Sequence, residues 1–271
     1  MIKKYKISPN YQNLFPNPEF NDLQNNGLKG NVKKVISVEI DTKDSNPMAF
    51  LPFAPSNTRL YEISEFDSLG ILRNYREVYE GNIPYLKMEY IFDSNNLLIK
   101  ELTLDENNVV GNTVNFKYNS NRQTIEEYRE ETDILYTGVY DENGILCRVI
   151  YESELQAYEG KCFFLTHDNR NNIIEVSELR GQNLFVTKFE FNKNNYLIKI
   201  QDFNSKKELT SENTLEYDRN NNIIKSISKD KRRTTIYDYE FEYDKNENWL
   251  ISTLTMNGNL YNQTKREIEY Y

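Results

Sequence analysis

Short stretches of alternating apolar and polar residues, such as Phe189-Glu190-Phe191 and Phe241-Glu242-Tyr243, run through most of the chain. They carry the period of two that marks half-buried β-strands, and no segment sustains a helical period. An aromatic-acidic pair punctuates these stretches: Phe66-Asp67, Phe92-Asp93, Tyr118-Asn119, Tyr140-Asp141, His167-Asp168, Phe191-Asn192, Tyr217-Asp218 and Tyr243-Asp244. Successive copies lie 26, 26, 22, 27, 24, 26 and 26 residues apart, and Ile268-Glu269-Tyr270 reads as a truncated ninth copy. Self-similarity at this period marks stacked supersecondary units.

Three places after the acidic residue lie Gly70, Asn96, Arg122, Gly144, Asn171, Asn195, Asn221 and Glu247. Gly and Asn dominate this position because they tolerate the positive φ of a tight turn. Five places after it lie Leu72, Leu98, Thr124, Leu146, Ile173, Leu197, Ile223 and Trp249, nearly all large and apolar, as a core-facing position requires. The opening Asp or Asn bonds its own backbone two residues on, an Asx-turn. A second turn signal follows 12 to 14 residues after the acidic residue, at Gly81, Asn107, Asp133, Gly181, Ser205, Asp230 and Gly258. Two turns in each of eight units predict about sixteen short strands in an antiparallel meander.

These residues resemble the Rhs/YD-repeat family, whose unit is Tyr-Asp, two variable residues, Gly, one variable residue, Leu. Tyr140-Asp141 through Gly144 and Leu146 fits every fixed place, and Phe66-Asp67 through Gly70 and Leu72 fits with Phe for Tyr. The resemblance covers roughly residues 60 to 271. It implies an all-β fold of tandem β-hairpin repeats in an extended, curved antiparallel sheet or partial spiral. In larger family members such a sheet forms a shell around a toxin or an extracellular adhesion scaffold. This chain has few repeats and shows neither an Rhs core-associated signature nor a toxin domain.

The repeats occupy residues 61–271. Residues 1–31, rich in Asn, Pro and Lys, read as an extended arm, and residues 32–60 as a capping strand followed by a Pro-rich apolar loop. Val32 to Ile40 alternates well enough to form the strand. The loop holds Met48, Phe50, Leu51 and Phe53 between prolines that block regular pairing. It reads either as a plug over the end of the repeat sheet or as an exposed partner-binding segment. The strands at the two ends of the array are expected as edges on which copies can pair.

Composition narrows function more than it defines it. The chain has 271 residues and a net charge of −9, and lacks the basic footprint of a nucleic-acid binder. No stretch is long and apolar enough for a membrane span. Met1 to Phe15 carries no signal-peptide pattern, which points to a cytoplasmic protein, or to an exported or cell-surface one if a signal peptide has been removed. Tyr (21) and Phe (14) supply much of the apolar area, which suits a thin fold whose Tyr hydroxyls stay wet.

Candidate chemistry is sparse. The single histidine, His167, occupies the aromatic place of its repeat and reads as a stand-in for Tyr or Phe rather than a base. Cys147 and Cys162 sit symmetrically about residues 154 and 155, so they face each other across a hairpin if the turn is centred there. A disulfide and two free thiols both remain open. The carboxylates Glu126, Glu127, Glu130 and Glu131 read as a solvated face rather than a glycosidase pair. Lys229, Lys231, Arg232 and Arg233 read as a solvated hairpin tip. Tyr128, Tyr136, Tyr151, Tyr158 and Tyr196 suit stacking on sugars if they face outward, and cross-strand pairing if they do not. No metal or cofactor signature appears. The expectation is a non-catalytic β-repeat protein that binds a protein partner. The alternatives are an immunity protein that neutralises a toxin and a cell-surface carbohydrate-binding module.

Overall fold

The computed structural model describes residues 28–40, 59–81, 83–95, 97–105, 107–119, 124–129, 132–142, 145–151 and 162–271. Eighteen strands follow in chain order: β1 (Val32–Ile40), β2 (Leu60–Phe66), β3 (Leu72–Tyr79), β4 (Ile83–Phe92), β5 (Leu98–Leu104), β6 (Val110–Tyr118), β7 (Thr124–Arg129), β8 (Thr132–Tyr140) and β9 (Leu146–Tyr151). The second half contributes β10 (Cys162–His167), β11 (Ile173–Arg180), β12 (Asn183–Phe191), β13 (Leu197–Phe203), β14 (Leu209–Tyr217), β15 (Ile223–Asp230), β16 (Thr234–Tyr243), β17 (Trp249–Met256) and β18 (Asn259–Tyr270). No helix occurs among the described residues. Within each of its compact units the strands pair antiparallel, the all-β hairpin meander that the repeat predicts.

Each repeat turn is built the same way. The Asp67 N–H donates to Ile71 O (2.9 Å) and the Gly70 N–H donates back to Asp67 O (2.9 Å). The Asp67 Oδ1 accepts from the N–H groups of Leu69 (2.9 Å) and Ile71 (3.0 Å). The residue three places on takes positive φ: Gly70 (78°), Asn171 (61°), Asn195 (69°), Asn221 (69°) and Glu247 (61°). A register shift follows the turn, so the aromatic residue ends opposite the apolar one: Phe66 with Leu72, Phe92 with Leu98, Tyr140 with Leu146, Tyr243 with Trp249. The two most regular positions of the repeat are thus the two halves of one cross-strand pair.

The same turn also occurs where sequence marked only a generic second turn. Asp105 and Asn204 open it, with positive φ at Asn108 (59°) and Lys207 (62°). Elsewhere at that end, Asn257 (51°) and Gly258 (80°) form the two-residue hairpin between Met256 and Asn259.

The chain divides into two compact units. The described residues of one lie within Val114–Glu216 and Ser226–Thr235, those of the other within Pro18–Thr113, Tyr217–Lys225 and Ile236–Tyr271. In the first, β7 to β13 pair in chain order over a core of Val149, Phe163, Leu165, Val176, Phe189 and Leu197. In the second, the order is β16–β17–β18–β1–β2–β3–β4–β5, over a core of Leu28, Val32, Val35, Phe66 and Leu72.

The position of β1 departs from expectation. It lies between β18, along Val32–Ile40, and β2, along Lys34–Val38. Neither β18 nor β2 is therefore a free edge. The pairing groups that edge strands would have offered to another copy are spent on β1.

Candidate functional site

The Asp side chains do more than shape their own turns. The Tyr243 hydroxyl donates to Asp218 Oδ2 of the preceding repeat, and the Asn222 Nδ2 donates to Tyr243 Oη (2.8 Å). One repeat later, the Tyr270 hydroxyl donates to Asp244 Oδ2, and the Asn248 Nδ2 donates to Tyr270 Oη (2.8 Å). Where the next aromatic is Phe92, an arginine supplies the contact. Arg73 bonds Asp67 Oδ2 through Nε (2.9 Å) and Nη2 (2.7 Å), and its guanidinium lies 4.4 Å from the Phe92 ring centre. Asn172, four places after Asp168, donates to Asn195 of the following turn (2.7 Å). The Asn at this fourth place (Asn172, Asn222, Asn248) is a repeat-to-repeat clasp that the sequence contained but its turn chemistry alone did not reveal.

A recess of about 320 Å³ opens in the unit that contains β1. Its floor is apolar and aromatic: Ile36 and Val38 from β1, Tyr61 and Ile63 from β2, Val78 and Tyr79 from β3. Glu80, Gly81, Lys265 and Glu267 complete the wall. Lys265 pairs with Glu267 at 3.7 Å. The register accounts for this convergence, since Val38 lies opposite both Lys265 and Tyr61, and Ile36 opposite both Glu267 and Ile63. The Tyr79 ring meets Tyr85 at 5.3 Å between centres, and Tyr85 is 53% exposed. At the same end of the strands stand the exposed Val109, Val110, Leu260 and Tyr261. The chain leaves β1 at Ile40 and enters β2 at Leu60, also at this end.

The opposite side of the same strands carries the core residues Val35 and Phe66 and, beside them, a polar row. Arg266, Ser37, Glu62 and Glu77 form one cross-strand row. Burial raises the Glu62 pKa above its ordinary range, and the neighbouring Glu77 raises it further. Burial lowers Arg266 to about 10, although Glu62 opposes that shift. The Arg266 guanidinium stacks 3.4 Å from the centre of the Trp249 ring, while its buried Nε has no hydrogen-bond partner. The Tyr75 hydroxyl donates to Glu77 Oε1 (2.7 Å).

The residues singled out from sequence fall as follows. Met48, Phe50, Leu51 and Phe53 lie outside the described residues, as do Tyr158, Glu130, Glu131 and the side chains of Glu126, Glu127, Tyr128, Tyr136 and Tyr151. Cys147 and Cys162 are free thiols that do not face each other. The strands pair with Cys162 opposite Ile150, three residues from Cys147, and the Cys147 thiol donates to Val139 O (3.2 Å). The symmetric placement assumed a turn centre that the register shifts along the chain. His167 stands opposite Ile173. Burial lowers its pKa, against the pull of Asp141 and Asp168. Tyr196 is half-buried within its turn. The basic tip is held by Asp230 Oδ1, which accepts from the N–H groups of Arg232 (2.6 Å) and Arg233 (2.9 Å), and its Lys231 side chain is mostly exposed. No group of three or more His, Cys, Asp or Glu side chains placed to hold a metal occurs among the described residues. Nor is any helix among them long and apolar enough to cross a membrane.

No family model matches the chain, and no curated protein matches it. Solved structures to which the chain is similar include a porin-like protein from Bacteroides vulgatus, 10% identical, with a TM-score of 0.41 over 89% of this chain and 98% of that one. A chain of the TcdB2-TccC3-Cdc42 structure is 10% identical, with a TM-score of 0.39 over 79% of this chain. A chain of the Photorhabdus luminescens Tc holotoxin pore is 11% identical, with a TM-score of 0.34 over 74% of this chain. This chain spans 15% and 11% of the lengths of those two chains.

Proposed function

We propose that this chain is a non-catalytic interaction protein that binds another protein at the end of the β1-containing unit where the recess opens. The observation that carries this reading is the apolar recess with Tyr85, Leu260 and Tyr261 exposed at the same end (53%, 55% and 44%). Aromatic anchors beside a pocket are the pattern of binding hot spots. The wall sets two carboxylates, Glu80 and Glu267, against the one Lys265 that pairs with Glu267, and this remaining negative charge favours a partner that brings a basic group alongside its apolar anchor. Charges in mid-strand on both sides of β1 to β4 favour an aqueous partner over lipid. Lys34–Glu65–Arg76 and Lys87–Glu89 lie on the recess side, and Glu62, Glu77 and Arg266 on the other. A lipid-facing strand surface would be apolar throughout that depth.

The test is affinity capture of the tagged protein from its native cells, in parallel with Tyr85→Ser/Tyr261→Ser and Phe50→Ser/Phe53→Ser. The expected result is a stoichiometric protein partner that Tyr85→Ser/Tyr261→Ser loses while keeping its circular dichroism spectrum. Loss confined to Phe50→Ser/Phe53→Ser moves the contact to the Pro-rich segment. Equal capture by all three proteins overturns the assignment to this end.

A further inference from the structure

β1 is held differently from every other strand. From β2 to β9 and from β10 to β18, each strand is joined to the next by five residues or fewer. β1 is joined to β2 only through residues 41–59, and it follows β18 in the sheet with no chain connection at all. Its place is nevertheless lined on both flanks and beneath. Val32 (0% exposed), Val35 and the preceding Leu28 enter the core against Phe66, Leu72, Ile268 and Tyr270. Just before the strand, the Lys29 N–H donates to Asn248 Oδ1 (2.6 Å), and the Asn248 Nδ2 donates to Lys29 O (2.8 Å). Asn248 thus grips residue 29 with the clasp that Asn172 and Asn222 use on a following repeat.

Three lysines of this segment meet three carboxylates of the groove: Lys29 with Glu247 (2.6 Å), Lys33 with Glu269 (2.6 Å) and Lys34 with Glu65 (3.7 Å). Residues 28–40 therefore have the features of a strand-addition ligand: backbone pairing on both sides, apolar anchors at alternate depth, and a charge code that sets register. None of these contacts depends on whether the strand and the groove share a chain.

We infer that the groove between β18 and β2 is a strand-accepting site, and that a second copy of this chain supplies residues 28–40 to it by exchange. In the exchanged pair, Ile36 and Val38 of the recess come from the partner copy, so the recess forms in both arrangements. Residues 41–59 hold the cis strand at an effective concentration on the order of millimolar. The monomer therefore prevails at micromolar protein, and exchange appears when chains refold at high concentration.

The test uses the full chain with Cys147→Ser/Cys162→Ser, carrying either Val38→Cys or Lys265→Cys, two positions opposite each other in register. The two variants are mixed, unfolded, refolded at micromolar or at near-millimolar concentration, and oxidised. The expected result is a disulfide-linked heterodimer that is at least tenfold more abundant after the concentrated refolding. The chain with both Val38→Cys and Lys265→Cys should close on itself after dilute refolding, which checks the register. A heterodimer yield that does not rise with refolding concentration, or no heterodimer while the double variant closes, overturns the inference. So does unmodified protein that remains wholly monomeric by light scattering after concentrated refolding.

Discussion

Asp218 and Asp244 each use their two oxygens for two different neighbours, the turn and the next repeat. In Asp218, Oδ1 accepts from the N–H groups of Asn220 (2.8 Å) and Asn222 (2.9 Å), while Oδ2 accepts from Tyr243 of the next repeat. Burial opposes ionisation of Asp218, but the Tyr243 hydroxyl and the turn donors outweigh it and hold its pKa below the ordinary 3.8. A lowered carboxyl pKa contributes stability that is present above the unfolded value and lost as pH falls through the folded one. Tyr243→Phe should cost about 1–2 kcal/mol at neutral pH, as loss of a hydrogen bond to a charged group does. The difference from the parent should shrink in urea melts as pH drops below 3.8. A gap unchanged at pH 3 would mean the hydroxyl acts through packing instead. At Lys207, φ is 62°, a left-handed conformation that L side chains adopt at a cost. Lys207→Gly should stabilise the protein by about 0.5–1 kcal/mol after the entropy of glycine is deducted. A lowered denaturant midpoint would contradict this account of the turn.

At the level of elements, the hairpin was legible because its chemistry is local. An Asx-opening residue, a positive-φ position and an apolar residue lie within six places of one another, and all three do what their residue types allow. The turns at Asp105 and Asn204 carried the same signal, Leu104-Asp105 with Val110 and Phe203-Asn204 with Leu209, but fell out of phase with the main repeat. The clasp at Asn172, Asn222 and Asn248 was visible as a recurrence, yet its meaning depends on what the next repeat places opposite. β1 was legible as a strand from its alternation, whereas its neighbours were not. Its anchoring has a simple test: Val32→Ala, at a fully buried site, should cost about 2 kcal/mol from lost methyl burial and the space left behind. Val110→Ala, at an exposed site, should leave the denaturant midpoint within experimental scatter. Equal effects of the two would mean that β1 is not seated in the core.

For the molecule as a whole, what escaped sequence reasoning is what is distant along the chain. Val32 pairs with Tyr270 and Ile40 with Gln263, and no local pattern announces such partners. The recess inherits the same obscurity, since β1, β2, β3 and β18 each contribute only two of its residues. The supposed facing of Cys147 and Cys162 failed for a related reason, because a displacement of a few residues in strand register moves side chains many ångströms apart. The net charge of −9, by contrast, was readable at once, and it agrees with the carboxylates at the recess wall in favouring a partner with basic character. The most direct test of the binding assignment is an isothermal titration of the captured partner against the parent protein and Tyr85→Ser/Tyr261→Ser. Loss of two aromatic anchors should weaken binding at least tenfold, about 1.4 kcal/mol, with an unchanged thermal midpoint. Equal affinity in the two titrations would contradict the placement of the binding surface at the recess.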